Sequence, residues 1–467
     1  MRASLKTSGF SIALASLLLG LRVQAQTTKV GELIVLQETG PRDKRVNIVV
    51  VGDGYTVADK DKFKADIQVV ANGVIRDLPL TEYAGYFNVY GIFVASNQTG
   101  ADNPNQGISR DTYFGATYGS GGLERLLTMN DTKVFQVINA WVPEADMHFG
   151  VVNSDEYGGS GGPIAVAARS APQIIAHESQ HSFSALGDEY DYAGVSPWES
   201  PNTTQTTNRM TTRWAHWIEA STPIPTPAIA AYAKRIGIFE GAAYNPIGWF
   251  RPALDCRMRE NGVPFCSVCS EAILLSMYDK ISPIDSSFPT MKSVSIGTDQ
   301  APGLRIKPKV PSGHALAITW SVDGVLQADQ HGAAFTRALS VGAHTVTARV
   351  SDTTPMIRKD PKHVASDTAS WNVRVAAVSR TAASGTVSGL SLVRVDSKGL
   401  WLDLPEAAEI HLTLSSINGA SLEARTLRGR PGPNHIAWVR ASGLARGAYI
   451  AELESGNVSV RRRFLVR

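Results

Sequence analysis

Two histidines four residues apart, with a glutamate directly after the first, stand in the stretch Ile175-Ala-His177-Glu178-Ser-Gln-His181. The pattern is H-E-x-x-H, the helical zinc-peptidase signature. On a helix, His177 and His181 fall one turn apart on the same face, so two imidazoles can share one Zn²⁺. Glu178 is offset by about 100° and can act on an attacking water as general base without being a ligand. The competing view is two helix-surface histidines beside an unrelated glutamate. Chance gives such a string a frequency on the order of 0.01 in a chain of this composition, so the surroundings must decide.

Zinc needs a third protein ligand and an open position. One layout places a third histidine six residues past the second, with a glycine between. Here Gly187 and Ser184 occupy those positions, so the strict pattern fails. Asp188 lies one residue further on. On a continuous helix it would stand roughly 10 Å along the axis from His181. The helix must therefore stop near Leu186, with Gly187 supplying the reversal. Asp188 is then the expected third ligand, with Glu189, His216 and Glu219 as lesser candidates. The competing view of Asp188 is a surface carboxylate beyond a helix end.

The elements that must position these residues precede them. Val46 to Gly52 reads as a buried strand and Phe87 to Ala95 as a second. Between them, Ala58 to Leu78 has helical spacing at Phe63, Ile67, Val70 and Ile75. Leu123 to Leu127 looks helical, Phe135 to Trp141 reads as a third strand and His148 to Asn153 as a fourth. The alternation suggests an α/β layer. The glycine run Tyr157 to Gly162 precedes a short strand, Ile164 to Ala168, whose edge is a place where a peptide could add. The alternative is an interior strand. Pro172 suits the first turn of the histidine helix. Gly52-Asp53-Gly54 is too short of glycines for a phosphate loop and reads as a turn. No G-x-S-x-G elbow supports serine hydrolysis.

After the helix, Asp191 to Thr212 reads as a polar loop, Trp214 to Trp217 opens a short helix, and Ser270 to Lys280 is a last amphipathic helix. From about Ser293 the period changes to that of strands, with Asp323-Gly324 as a hairpin turn. The pattern is an immunoglobulin-like β-sandwich over 291–378, then a small-polar linker from Val378 to Gly385, then a smaller β domain over 386–467. That last domain faintly resembles the C-terminal sorting domains of secreted bacterial proteins; an adhesion or spacer module fits equally.

The 467 residues are 43% hydrophobic and 19% charged, a globular composition long enough for several domains. A formal net charge of +3 gives no ground for a nucleic-acid partner. Arg461 to Arg463 reads as a solvated strand end. Residues 1–25 read as a signal peptide: Arg2 and Lys6, an apolar run from Ser11 to Leu21 too short to span a bilayer, and a small-x-small site ending at Ala25. No transmembrane segment is expected later, and the mature chain is expected to be secreted, to the medium or the bacterial cell surface. Export permits a disulfide, and a local one is expected among Cys256, Cys266 and Cys269, with one thiol left over. A cysteine-rich structural zinc site lacks an evident fourth ligand.

The stretch HESQHSFSALGDEY resembles the secreted bacterial IgA-metallopeptidase family, clostridial-type zinc peptidases. Further segments resemble it in the same order: VVVGDGYT from Val49, FNVYGIFVASNQTGAD from Phe87, YGGSGG from Tyr157, and EGAAYNPIGWFRP and CRMRENGVPFCSVC between Glu240 and Cys269. The resemblance runs from Gly31 to Ser282. It implies a metzincin-like catalytic domain over 26–290, followed by the two all-β domains. His177, His181 and Asp188 would be the metal ligands, Glu178 the base, and Met258 the methionine of the turn beneath the metal; otherwise Met258 is a core filler. The implied activity is zinc-dependent cleavage of extracellular proteins. Tyr190, Tyr192, Tyr244 and Arg257 stay open as donors to the oxyanion. Attachment to a cell surface would fall to the C-terminal β domains. The alternative is a non-catalytic protein that uses this fold as a scaffold for holding protein or glycan; the intact Glu178 argues against it.

Overall fold

Val46–Asp53 forms the centre of a six-stranded sheet, and all eight of its residues are buried. Its side chains divide by parity. Ile48 and Val50 enter one apolar cluster, and Val49 and Val51 enter another, so both faces of the strand are covered. That is the situation in which a parallel strand reads as an unbroken apolar run.

The computed structural model describes residues 29–192, 198–298, 301–376, 391–396, 399–404, 407–418, 420–438, 444–455 and 458–466. The expected signal peptide and the expected linker from Val378 lie outside these residues. The chain divides after Ala377 into two compact units. Together they make a mixed α/β protein with several sheets.

In the first unit the strands are β1 (Glu32–Gln37), β2 (Val46–Asp53), β3 (Phe87–Phe93), β4 (Met147–Val152), β5 (Gly159–Ser160) and β6 (Ala165–Ala168). Their order is β1-β3-β2-β4-β6-β5. The inner pairs are parallel, and β1 and β5 run antiparallel at the two ends. Helix α1 (Lys60–Ile75) buries Phe63, Ile67, Val70, Ala71, Val74 and Ile75 on one face of the sheet, where α3 (Gln173–Phe183) and α4 (Ser267–Lys280) join it. Helix α2 (Asp131–Trp141) covers the other face with Val134, Val137 and Ile138.

Two expected elements differ. Phe135 to Trp141 is the end of α2, not a strand. Its apolar residues satisfy either period over so short a run, and the deciding signal is Asn130, whose side chain accepts from Lys133 N as an N-cap. Leu123 to Leu127 is not a helix. A short 3₁₀ turn precedes it, and Leu126 bridges to Gly159. Consequently Ile164 to Ala168 is not a free edge, since β5 and then the Arg125–Leu127 segment lie outside β6.

The hairpin β7 (Phe239–Ala242) and β8 (Asn245–Arg251) follows α3 in the chain. Beyond α4 comes a five-stranded sheet: β10 (Ser293–Gly297), β12 (Ala317–Val322), β13 (Val325–Leu326), β14 (Gly342–Ser351) and β15 (Ser366–Ala376). A two-stranded sheet of β9 (Ile284–Phe288) and β11 (Arg305–Pro308) shares its core, in which Trp320 stacks on Trp371. Asp323 and Gly324 both adopt positive φ in the β12–β13 turn, as a two-residue hairpin requires. This layer is pinned to the α/β part by buried polar links. Asp352 accepts from Tyr83 Oη and Tyr278 Oη, each at 2.7 Å, and Arg45 reaches Asp285 at 2.6 Å.

The second unit contains a three-stranded sheet, β16 (Ser391–Asp396), β17 (Gly399–Leu404) and β20 (Gly432–Ala437). Its four-stranded sheet comprises β18 (Ala408–Ser416), β19 (Ser421–Gly429), β21 (Gly447–Ser455) and β22 (Val458–Val466). Alternate residues such as Leu400, Leu402, Ile410, Leu412 and Leu453 fill its core. Arg461 to Arg463 are exposed on β22.

Candidate metal centre

Helix α3 presents His177 and His181 one turn apart, with ring centroids 5.0 Å from each other. Each ring is oriented by a backbone carbonyl at its far nitrogen. His177 Nδ1 lies 2.8 Å from Arg257 O, and His181 Nδ1 lies 2.8 Å from Leu186 O. With both Nδ1 atoms donating outward, both Nε2 lone pairs face the same point, the arrangement that orients metal-binding imidazoles.

The helix ends at Phe183, earlier than the sequence suggests. The reversal is made by Ala185, at φ 54°, and not by Gly187. A left-handed alanine costs about 1 kcal/mol, and here it is held because Leu186 N returns to Gln180 O at 3.1 Å. Gly187 serves a different need: a Cβ there would stand 2.8 Å from Ser200 Oγ, so its missing side chain lets the following loop close on it.

The reversal brings Asp188 back over the helix. Asp188 Oδ1 lies 3.0 Å from His177 Nε2 and 3.5 Å from His181 Nε2. Ligands 2.0–2.2 Å from a tetrahedral ion are separated by roughly 3.3–3.5 Å; the His181 separation falls in that range and the His177 separation just below it. Its other oxygen, Oδ2, accepts from Tyr244 Oη at 2.6 Å. Burial works against ionising Asp188, yet the two imidazoles hold its carboxyl well below the usual range. Burial also opposes charge on His181, but the Asp188 contact outweighs it and pushes the imidazolium up to about 9.

Glu178 stands beside this set, with Oε2 3.7 Å from His181 Nε2 and its side chain 20% exposed. Burial raises its pKa, the direction a general acid–base group uses. Gly161 explains the glycine run: a Cβ there would lie 2.5 Å from Glu178 Oε2. Arg125, from the segment that covers β5, contributes positive charge felt by Glu178, Tyr190 and Tyr192.

The other expected residues go elsewhere. Glu189 turns away from His177 into a buried cluster with the three cysteines. His216 pairs with Glu271 at 2.6 Å, and Glu219 pairs with Arg235. Among the donors left open for an oxyanion, Arg257 is engaged by Asp77 at 2.5 Å and Val263 O at 3.0 Å, and Tyr244 by Asp188. Tyr190 stacks on His177, and Tyr192 stacks on Tyr190. Met258 is fully buried, and its carbonyl accepts from Glu189 N at 2.9 Å. The expected disulfide is not formed: Cys256, Cys266 and Cys269 are free thiols, Cys256 Sγ and Cys269 Sγ stand 3.6 Å apart, and the three meet the Glu189 carboxylate.

Sequence reading missed how Tyr244 reaches Asp188. Ala243 and Tyr244 form the two-residue tip of the β7–β8 hairpin, both at positive φ. Such a turn ordinarily takes glycine or asparagine. The tip is locked by Ala243 N to Asp188 O and Tyr244 N to Tyr190 O, each at 2.9 Å.

A family model described as IgA Peptidase M64 matches residues 34–230 and 228–277, together just over half of the chain. The chain belongs to this family. The match spans α3, Asp188, Tyr244 and all three cysteines. Solved structures match weakly. A Parabacteroides merdae β-glucuronidase is 9% identical over 47% of this chain and 28% of its own, at a TM-score of 0.18. Fibronectin(III)-like modules of Clostridium thermocellum CbhA are 10% identical over 39% of this chain and 93% of theirs, at 0.19. Dimeric latent PorU from Porphyromonas gingivalis is 14% identical over 39% of this chain and 20% of its own, at 0.17. The chain thus spans less than a third of the length of that glucuronidase, and TM-scores this low carry nothing about the M64 chain. No curated protein matches it significantly.

Proposed function

We propose that this M64 peptidase is a secreted, metzincin-like zinc endopeptidase acting on extracellular proteins. His177, His181 and Asp188 would hold the zinc, and Glu178 would be the general base. The observation that carries the reading is the approach of Asp188 Oδ1 to both Nε2 atoms, with Glu178 alongside. When bound, zinc supplies a Lewis acid that polarises the scissile carbonyl and acidifies water.

The chain's own residues do the rest. Glu178 takes a proton from the attacking water as its oxygen bonds to the carbonyl carbon. It then delivers that proton to the amide nitrogen as the C–N bond breaks, leaving a carboxylic acid and an amine. Arg257 O and Leu186 O hold the two imidazoles in the required tautomer. Tyr244 Oη fixes the Asp188 carboxylate. Export rests on the charged, then apolar, then small-residue pattern of residues 1–25. Among the described residues no helix is long and apolar enough to cross a membrane. The test is cleavage of a broad panel of folded and unfolded proteins, followed by mass spectrometry. Internal cleavage that stops with a chelator and returns with zinc is expected. Zinc binding without cleavage of any substrate would favour the scaffold alternative.

A further inference from the structure

Asp188 and Glu189 are adjacent, yet their side chains part. The Glu189 carboxylate is fully buried. Its Oε1 accepts from Asn202 Nδ2 at 2.9 Å and lies 3.4 Å from Cys269 Sγ, while Oε2 has no hydrogen-bond partner. A carboxylate withdrawn from water with one oxygen unsatisfied must be neutralised by a proton or by a cation. No lysine or arginine nitrogen lies within salt-bridge distance of it among the described residues. Arg251 is near enough for its charge to act on Glu189 and its Nε is unpartnered, but it makes no ion pair there, and its Nη1 donates to Glu240 O and Gly241 O.

The groups facing Glu189 are thiols. Cys256, Cys266 and Cys269 are all buried, and one donor atom from each, with a Glu189 oxygen, lies within 4.8 Å of the others. Cys256 Sγ and Cys269 Sγ are 3.6 Å apart. Donors about 2.3 Å (sulfur) and 2.0–2.2 Å (oxygen) from a tetrahedral ion stand roughly 3.5–3.8 Å from one another. The sulfur–sulfur separation falls in that range and the sulfur–oxygen separation just below it. A disulfide would bring two sulfurs to about 2 Å and leave the third thiol and Glu189 Oε2 unserved.

We propose that Cys256, Cys266, Cys269 and Glu189 form a second metal site of the zinc class, closed and structural, back to back with the histidine centre. Four protein donors with no exposed face is the composition of a structural site, whereas a catalytic site keeps a position open. Cys266 is the N-cap of α4 and Cys269 lies in its first turn, where free amides favour thiolates. Cys266 N approaches Cys256 Sγ at 3.4 Å, a further stabilisation of a thiolate. The ion accounts for the odd cysteine count without an orphan thiol.

The site joins three segments that build the neighbouring centre. Glu189 follows Asp188. Cys256 precedes Arg257, whose carbonyl orients His177. The Glu189 N to Met258 O bond at 2.9 Å ties the first two together, and α4 anchors both. The four residues would therefore act as positioning residues for Asp188 and His177.

This inference stands apart from the peptidase reading, and its test is blind to cleavage. The full chain is loaded with zinc and, separately, with cobalt, and analysed for metal content and for the near-ultraviolet thiolate-to-cobalt absorption. Wild type is expected to carry two ions per chain and to show the band. His181→Ala is expected to carry one ion and keep the band. Cys269→Ser and Glu189→Gln are each expected to carry fewer ions, with Cys269→Ser losing or strongly weakening the band. If Cys269→Ser fails to fold, wild type alone decides. A thiolate band, with three alkylatable thiols after denaturation and metal removal, supports the site. Absence of the band, or a pair of cysteines protected from alkylation as a disulfide, overturns it.

Discussion

Asp188 and Glu189 share a peptide bond and serve opposite environments. Asp188 faces two imidazoles, with Glu178 a fifth exposed and His181 about a quarter exposed. Glu189 faces three thiols, and none of its surface reaches solvent. The first cluster offers three donors, a base and access for a substrate. The second offers four donors and no access. Zinc chemistry separates on this difference: an open position permits catalysis, and a closed shell stabilises a fold. The two side chains part where Ala185 turns the chain and the Ala243–Tyr244 tip clamps the backbone of Asp188 and Tyr190.

The largest effect should come from emptying the open cluster. His181→Ala removes one proposed donor and should lower kcat/KM by on the order of 10³-fold, the scale of losing several kcal/mol of charge stabilisation. The thiolate–cobalt band should persist, and its loss in this variant would merge the two clusters into one unit.

Tyr244→Phe removes the donor to Asp188 Oδ2 and keeps the ring. Activity or zinc affinity at the histidine centre should fall about 10–100-fold, the usual consequence of losing a group that orients a ligand. Titration with a competing chelator should show one weakened ion and one unchanged. Equal weakening of both would contradict the separation.

Gly161→Ala places a methyl 2.5 Å from Glu178 Oε2, the free end of a side chain that can move aside. The fold should tolerate it, while kcat falls roughly tenfold or more through a displaced base. Metal content should be unchanged; kcat equal to wild type would show that the glycine serves only backbone packing.

The smallest effect is a control at a residue that belongs to neither cluster. His314 lies between Glu82 at 3.0 Å and Asp352 at 2.8 Å. Burial opposes its charge, but these carboxylates outweigh it and raise its pKa above the usual 6.5. Its contribution to stability is therefore complete below pH 6.5 and is lost as pH rises through the raised value. His314→Gln should cost about 1 kcal/mol at pH 6 and less at higher pH, as read by denaturant unfolding. A loss that grows with pH would have the wrong sign.

Much of the open cluster was legible because its information is local. H-E-x-x-H sets two side chains by helical period alone, and the failed six-residue position pointed to Asp188. The closed cluster was not, because its fourth donor lies 67 residues before Cys256 in the chain and was drawn by its neighbour Asp188 toward the histidines. Tyr244 was expected only as a possible oxyanion donor, and its contact with Asp188 escaped for a similar reason: it depends on a hairpin tip built from Ala and Tyr, where sequence rules look for glycine. In the sheet, Val46–Asp53 and Phe87–Phe93 announced themselves by unbroken apolar runs. Phe135–Trp141 did not, since seven residues cannot separate a buried strand from half a helix, and the cap at Asn130 carried the answer.

The central claim is that Glu178 moves the proton without holding a metal. Glu178→Gln tests it most directly, with kcat/KM and metal content measured on the same preparation. The expected result is a fall of about 10²–10⁴-fold in kcat/KM with both ions retained. Activity within a few-fold of wild type, or loss of an ion from the histidine centre, would contradict it.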